Sequence, residues 1–190
     1  FRREIGCEFI IADETLIAPA VLIDLEGIEP TSRMGQVRWY DKPKKGSIYC
    51  VALDPSLGTG SDPAAIQIFE ANSTVQIGEW KHNKTAIPEQ IKLLAAICKH
   101  IEESTNEPNN IYYSIENNSI GEAALISLAE FGESNIPGTM LSEPGKNRRG
   151  FNTGPKTKLA ACAKFKTLLE TGRLKVNSHS LITELKSFVA

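Results

Sequence analysis

The sequence lacks most of what betrays a specialised chain at sight. Its four cysteines, Cys7, Cys50, Cys98 and Cys162, are far apart and lie in apolar surroundings. Without a C-x-x-C pair there is no zinc ribbon or dithiol motif, and buried free thiols in a reducing cytosol are expected. Three histidines, His82, His100 and His179, are too scattered for a metal centre or a histidine-based triad. No apolar run approaches the ~20 residues of a membrane span. No Gly-x-x-x-x-Gly-Lys-Ser/Thr phosphate loop occurs, and an EF-hand starting at Asp54 fails because Thr59 stands where its glycine belongs and Ala65 where its closing glutamate belongs. Asn72, Asn83 and Asn117 head N-x-Ser/Thr triplets, but no secretion signal accompanies them. The opening Phe1-Arg2-Arg3-Glu4 is neither an initiator methionine nor a signal peptide, and Ser187–Ala190 falls inside a helix-like stretch, so a piece of a longer protein is expected.

What remains is ordinary in bulk and uneven in detail. With 190 residues, 41% hydrophobic and 23% charged, the chain is long enough for one domain with a substantial core. A net charge of −2 does not by itself suggest nucleic acid. Its distribution is more telling: from Pro144 to Leu169 there is no acid, while Lys146, Arg148, Arg149, Lys156, Lys158, Lys164 and Lys166 are basic. That is a positive arm on a mildly acidic protein.

The most informative stretch runs from Ile48 to Asp62. Six apolar or aromatic residues, Ile48 to Leu53, stop at Asp54, and Pro55, Gly58 and Gly60 then force a turn that Asp62 closes. An unbroken apolar run bounded by turn residues predicts a strand buried on both faces. The pattern recurs downstream, where Ile111-Tyr112-Tyr113-Ser114-Ile115 stops at Glu116. Between them, Ala64–Phe69 and Thr74–Trp80 alternate on either side of the turn Ala71-Asn72-Ser73, predicting a hairpin. Ile87, Ile91, Leu94, Cys98 and Ile101 recur at helical spacing behind Pro88. Ser119 and Glu122 form a capping-box pattern that opens a second helix with Ala124, Leu128 and Phe131 on one face. Ile136–Leu141 suits a fifth strand. Lys156–Thr171 predicts a third helix ending at Gly172, Leu174–Val176 a short strand, and Ser180 onward a last amphipathic stretch. Residues 1–46, broken by Pro19 and rich in turn formers near their end, are expected to connect to something upstream, with the compact domain at 47–190.

The resulting order, β-β-β-α-β-α-β-α, is the pattern of an α/β ribonuclease H-like fold with a mixed five-stranded sheet flanked by helices. In such a sheet the fourth strand lies parallel to the first, with neighbouring strands ~4.8 Å apart, which brings Asp54 and Glu116 together at the rim. Two close carboxylates need a proton or a cation between them. Oxygen-only donors favour Mg²⁺ or Mn²⁺, and two such ions roughly 3.5–4 Å apart can hold the attacking and leaving oxygens of a phosphodiester. On this reading Asp54 bridges the metals, Glu116 binds one of them, and Asp62 helps hold metal or water. The basic arm, Lys146, Arg148, Arg149, Lys156 and Lys158, would grip the phosphate backbone without reading sequence. Two rivals share parts of the pattern. An actin-like nucleotide-binding domain has the same sheet core and an Asp followed by a glycine-rich hairpin, but needs a second phosphate loop that this sequence lacks. A non-catalytic DNA-binding or docking module would need only the basic arm.

Four stretches give the chain its resemblance to a family. Phe1-Arg2-Arg3-Glu4-Ile5-Gly6-Cys7-Glu8-Phe9, Leu53–Asp62, Ile115-Glu116-Asn117-Asn118-Ser119-Ile120-Gly121, and Lys156-Thr157-Lys158 followed by Gly172–Val176 resemble, in this order, segments of the nuclease domain of tailed-phage (T4-like) large terminase subunits. The resemblance covers nearly the whole chain. It implies a Mg²⁺- or Mn²⁺-dependent endonuclease that cuts concatemeric double-stranded DNA at the start and end of headful packaging. The implied setting is the host cytoplasm, at the portal vertex of the assembling capsid. The implied partners are duplex DNA, an ATPase domain in the same full-length chain, the portal and the small terminase subunit. Asp54 and Glu116 match the family's catalytic metal ligands by position, and Asp62 an accessory acid. The family's third catalytic aspartate has no match here, since Asp62 is the last aspartate and Glu184 does not stand in that motif. Some relatives also carry an acid where Leu57 stands. Weak or absent cleavage by this stretch alone is therefore compatible with the resemblance.

Overall fold

Alternation, not uniform burial, governs the central strand. In a computed structural model describing residues 15–146 and 149–188, Tyr49, Val51 and Leu53 of β3 (Tyr49–Asp54) are buried, while Ala52 and Asp54 are exposed. The unbroken apolar run led to the expectation of burial on both faces. Only one face is sealed, because the helices that follow in sequence stack on that side and leave the other half-open. The amino-terminal residues that contribute to the family resemblance lie outside the described residues.

Seven strands form one mixed sheet in the order β1-β2-β5-β4-β3-β6-β7. The hairpin of β4 (Ala64–Glu70) and β5 (Val75–His82) continues antiparallel from β3, and β6 (Ile111–Ile115) returns parallel to β3 on its other side. Between them α2 (Ile87–Thr105) makes the crossover and buries Ile91, Leu94, Cys98 and Ile101 against the sheet. α3 (Ser119–Phe131) adds Ala124 and Leu128 to the same core. The fifth expected strand is reduced to β7 (Thr139–Met140), since Pro137 just before it has no N–H to give the ladder. The expected strand at 174–176 is a single bridge between Lys175 and Val75.

Two further strands come from the stretch expected to be a connector. β1 (Ser32–Met34) and β2 (Val37–Trp39) form a hairpin that extends the sheet beyond β5, and Val37 and Trp39 are buried in the main core. Upstream, Ile17 and, from α1 (Pro19–Asp24), Leu22 join Leu169, Val176, Ile182 and Leu185 in a second, smaller core. That core forms where α4 (Pro155–Glu170) and α5 (His179–Leu185) close on the β5 side.

A network of buried amides joins this layer to the sheet. A bulge at Ile68/Phe69 shifts the register so that Gln76 faces α5. Gln76, fully buried, accepts hydrogen bonds at Oε1 from the backbone N–H groups of Asn177 and Ser178, both 2.8 Å, and donates to Gln67 Oε1 at 2.6 Å. Ser178 then caps α5 by accepting from the Leu181 N–H. No helix among the described residues is long and apolar enough to cross a membrane.

Candidate functional site

The rim of the sheet is built by two strand ends in register. Leu53 lies opposite Ile115 in the parallel β3–β6 pair, and the Glu116 N–H donates to the Leu53 carbonyl at 2.9 Å. This holds Asp54 and Glu116 side by side, with their carboxylates close enough to share a proton. Asp54 is pushed up to about 7, first by desolvation at the crowded strand end and then by the hydrogen bond and charge of Glu116. Its side chain still meets solvent on the open side. Desolvation and a like-charged neighbour both favour the protonated carboxyl, and such a pair at a strand-end rim is a candidate functional site.

Both partners are held from behind. After Asp54 the chain turns through Pro55–Gly58, where Gln90 of α2 grips it. The Gln90 side chain, fully buried, donates from Nε2 to the carbonyls of Ser56 and Thr85, both at 2.7 Å, and accepts from the Ser56 N–H at 3.3 Å. Gly58 adopts φ +69° and lies so near the Thr85 carbonyl that a Cβ would collide with it. On the other side, Asn118 donates to Glu116 Oε2 at 3.2 Å and Thr153 donates to Glu116 Oε1. The Asn118 side chain is also the cap of α3, accepting from the N–H groups of Ile120 and Gly121 at 3.0 Å. The cap is thus one residue earlier than the Ser119-x-x-Glu122 pattern predicts, because Ser119 already lies in the first turn. Gly121 is required for a separate reason: a Cβ there would overlap the Glu116 carbonyl oxygen.

The basic loop reaches the same rim. Phe151 forms a bridge with Glu116, giving its N–H to the Ile115 carbonyl at 3.0 Å and accepting from the Asn117 N–H at 2.7 Å. Asn117 Nδ2 donates to the Arg149 carbonyl at 2.7 Å. The Arg149 backbone is thereby tied next to Glu116, while its side chain is ion-paired with Glu133, and Lys146 is ion-paired with Glu143. Lys156 and Lys158 are exposed on the first turns of α4. Arg148 lies outside the described residues.

Asp62 is exposed in the loop that leads into β4. The described residues contain no group of three or more His, Cys, Asp or Glu side chains placed to hold one ion, so Asp54 and Glu116 stand as a pair with Asp62 outside it. Gly58 and Gly60, at φ +69° and +97°, make the turns of the loop between Asp54 and Asp62. Cys50, Cys98 and Cys162 are free thiols, and Cys7 lies outside the described residues. Sequence reasoning did not single out Gln90, Asn118 or Thr153. Gln90 carried a signal, as a lone amide on the apolar face of α2 next to Ile91 and Leu94. Thr153 carried none.

Residues 51–190 match the family model of the terminase RNaseH-like domain. Among solved structures, the large terminase nuclease from thermophilic phage G20c with bound magnesium superposes at TM-score 0.66, with 19% identity over 92% of this chain and 80% of that one. The Thermus phage P74-26 large terminase nuclease domain gives 0.61, with 17% identity over 88% and 75%. The human cytomegalovirus terminase nuclease domain gives 0.56, with 15% identity over 90% and 83%. At these identities the structures establish a shared fold, which in this chain is a seven-stranded mixed sheet. The family model spans most of the sequence, including both strands that end in Asp54 and Glu116, and the chain belongs to the terminase RNaseH-like domain family.

Proposed function

We propose that this chain is the endonuclease domain of a T4-like viral DNA-packaging terminase, cutting concatemeric double-stranded DNA during headful packaging. The observation that carries the reading is the Asp54–Glu116 pair, two carboxylates held at adjacent strand ends, with Asp54 raised to about 7 by desolvation and by its neighbour Glu116. An oxygen-only donor pair of this kind suits Mg²⁺ or Mn²⁺. The phage G20c nuclease was solved with magnesium, cobalt and zinc, and the cytomegalovirus domain was soaked with manganese. Asp54 and Glu116 would hold the metal. When bound, the ions supply a Lewis acid at the phosphate and a water acidic enough to attack it near neutral pH.

The chain's own residues do the rest. Gln90 holds the turn behind Asp54, so its carboxylate keeps one position. Asn118 and Thr153 each occupy one oxygen of Glu116, fixing the plane of that carboxylate. Asp62 would act as an accessory acid at the mouth of the loop, orienting water. Lys146, Arg148, Arg149, Lys156 and Lys158 would hold phosphates beside Glu116, neutralising backbone charge without contacting base edges. The stretch before residue 47 would lead from an ATPase domain, with the portal and small terminase subunit as further partners in the host cytoplasm.

The test is nicking of supercoiled plasmid with Mn²⁺, comparing the parent with Asp54→Asn. Cutting by the parent and not by the variant is expected; full cutting by the variant overturns the assignment. A second reading, a non-catalytic DNA-docking module, is favoured because no three His, Cys, Asp or Glu side chains among the described residues are grouped to hold one ion. It predicts salt-sensitive DNA binding, no metal requirement and no cutting by either protein.

A further inference from the structure

The basic loop meets the carboxylate pair on the β6 side, where Phe151 bridges to Glu116 and Asn117 holds the Arg149 carbonyl. On the opposite side, strand register forms a row at the same level of the sheet. Asp54 lies opposite Ala65, and Ala65 lies opposite Lys81. Side chains directly opposite one another share a face, so Lys81 stands on the face that carries Asp54, two strands away, or roughly 10 Å between the backbones. Between them Ala65 offers only a methyl group. The space it leaves is a cavity of about 160 Å³, lined among others by Asp54, Ala65, Lys81 and Glu184. Beyond Lys81 the depression continues into a second one of about 390 Å³, where Lys81 is joined by Arg38, His82 and Asn83.

Lys81 is engaged, but loosely. Its ammonium is ion-paired with Glu184 of α5, and the two side chains are 35% and 52% exposed. Exposed pairs of this kind contribute little stability, so an incoming anion can take the carboxylate's place. Arg38, by contrast, is held at 3.0 Å by Glu79, a carboxylate 2% exposed that also accepts from Tyr40 at 2.6 Å. That arginine is bound into the fold. Glu184 itself is steadied through α5, whose cap residue Ser178 is fixed by the buried Gln76.

We propose that Lys81 is a DNA-phosphate contact on the β5 side of the Asp54–Glu116 pair, and that Glu184 holds its ammonium in place until a phosphate displaces it. The backbone of the bound strand would then cross the sheet rim from the basic arm beside Glu116, over Asp54 and Ala65, to Lys81. This rests on the reading of the carboxylate pair as the cutting site. It adds a direction for the substrate, perpendicular to the strands, and a residue 103 positions away in sequence that tunes affinity.

The experiment measures binding of a short fluorescent duplex in EDTA by anisotropy, from about 50 to 200 mM salt, for the parent, Lys81→Gln, Lys81→Arg and Glu184→Gln. One phosphate contact contributes about 0.9 to the slope of log affinity against log salt. Lys81→Gln is expected to lower the slope by about that amount and weaken binding several-fold, Lys81→Arg to restore both, and Glu184→Gln to tighten binding with the slope retained. Unchanged slope and affinity in Lys81→Gln, with its thermal unfolding intact, overturns the proposal. So does Glu184→Gln weakening binding as much as Lys81→Gln, since the pair would then be structural. Cutting by Asp54→Asn would remove the nuclease reading and leave this binding result standing; unaltered binding by Lys81→Gln would remove the proposal and leave the plasmid assay standing.

Discussion

Replacing Asp54 by asparagine should stabilise the metal-free protein while abolishing its chemistry. Asp54 is raised from an ordinary 3.8 to about 7. A folded-state value above the unfolded one means that the native state holds this proton more tightly than the unfolded chain does. Between about pH 4 and 7 the native state therefore binds more protons, and this group makes stability fall as pH rises through that window. Its cost is absent at acid pH, below both values, and fully present above pH 7. For a fully buried group a shift of this size would amount to about 4 kcal/mol. Asp54 faces solvent on its open side, and screening there reduces the cost to about 1 kcal/mol. In a domain of this size that corresponds to a rise of about 2–4 °C in melting temperature for Asp54→Asn at pH 8. The assay is thermal unfolding followed by circular dichroism in EDTA at pH 5 and pH 8. The variant should gain at pH 8 and gain little at pH 5, and a stabilisation by added Mn²⁺ is expected in the parent and not in the variant. A variant less stable than the parent at pH 8 would refute the reasoning, because the pair would then be mutually supporting.

Other perturbations test how the rim is held. Gln90→Ala removes both donor contacts to the Ser56 and Thr85 carbonyls and should cost about 2–4 kcal/mol in urea unfolding, from lost hydrogen bonds and a small cavity; a loss under 0.5 kcal/mol would show that water replaces the amide freely. Gly121→Ala must push α3 away from the Glu116 carbonyl, at about 1–3 kcal/mol, and should lower plasmid nicking with it. Wild-type stability and nicking together would exclude that close approach. Glu79→Ala leaves Arg38 and Tyr40 without their acceptor and should destabilise by about 3 kcal/mol, whereas a cost under 1 kcal/mol would mean the two rearrange. Tyr40 itself, raised to about 12 by burial and then by its hydrogen bond to Glu79, should stay protonated in an absorbance titration through pH 11.

How much of this was legible in the sequence depended on whether a signal was local. Asp54 and Glu116 could be found because each ends an apolar run, and element order alone puts their strands side by side. The β1–β2 hairpin could not, since Ser-Arg-Met and Val-Arg-Trp are too short to show a period and carry an arginine each; only Val37 and Trp39, anchored in the core, make them strands. The cap of α3 was misplaced by one residue because Asn118 and Ser119 are both good caps, and the choice falls to Asn118, whose side chain serves the helix and Glu116 at once. The open face of β3 was hidden for a related reason. A run such as Cys-Val-Ala-Leu has no polar residue to mark its second face, so exposure at Ala52 becomes visible only when the helices are seen to stack on one side. That open face is what leaves Asp54 accessible to solvent. Sealed on both sides, the same two acids would be a stability defect; at an open rim, braced by Gln90, Asn118 and Thr153, they are a pair whose repulsion only a cation or a proton can relieve.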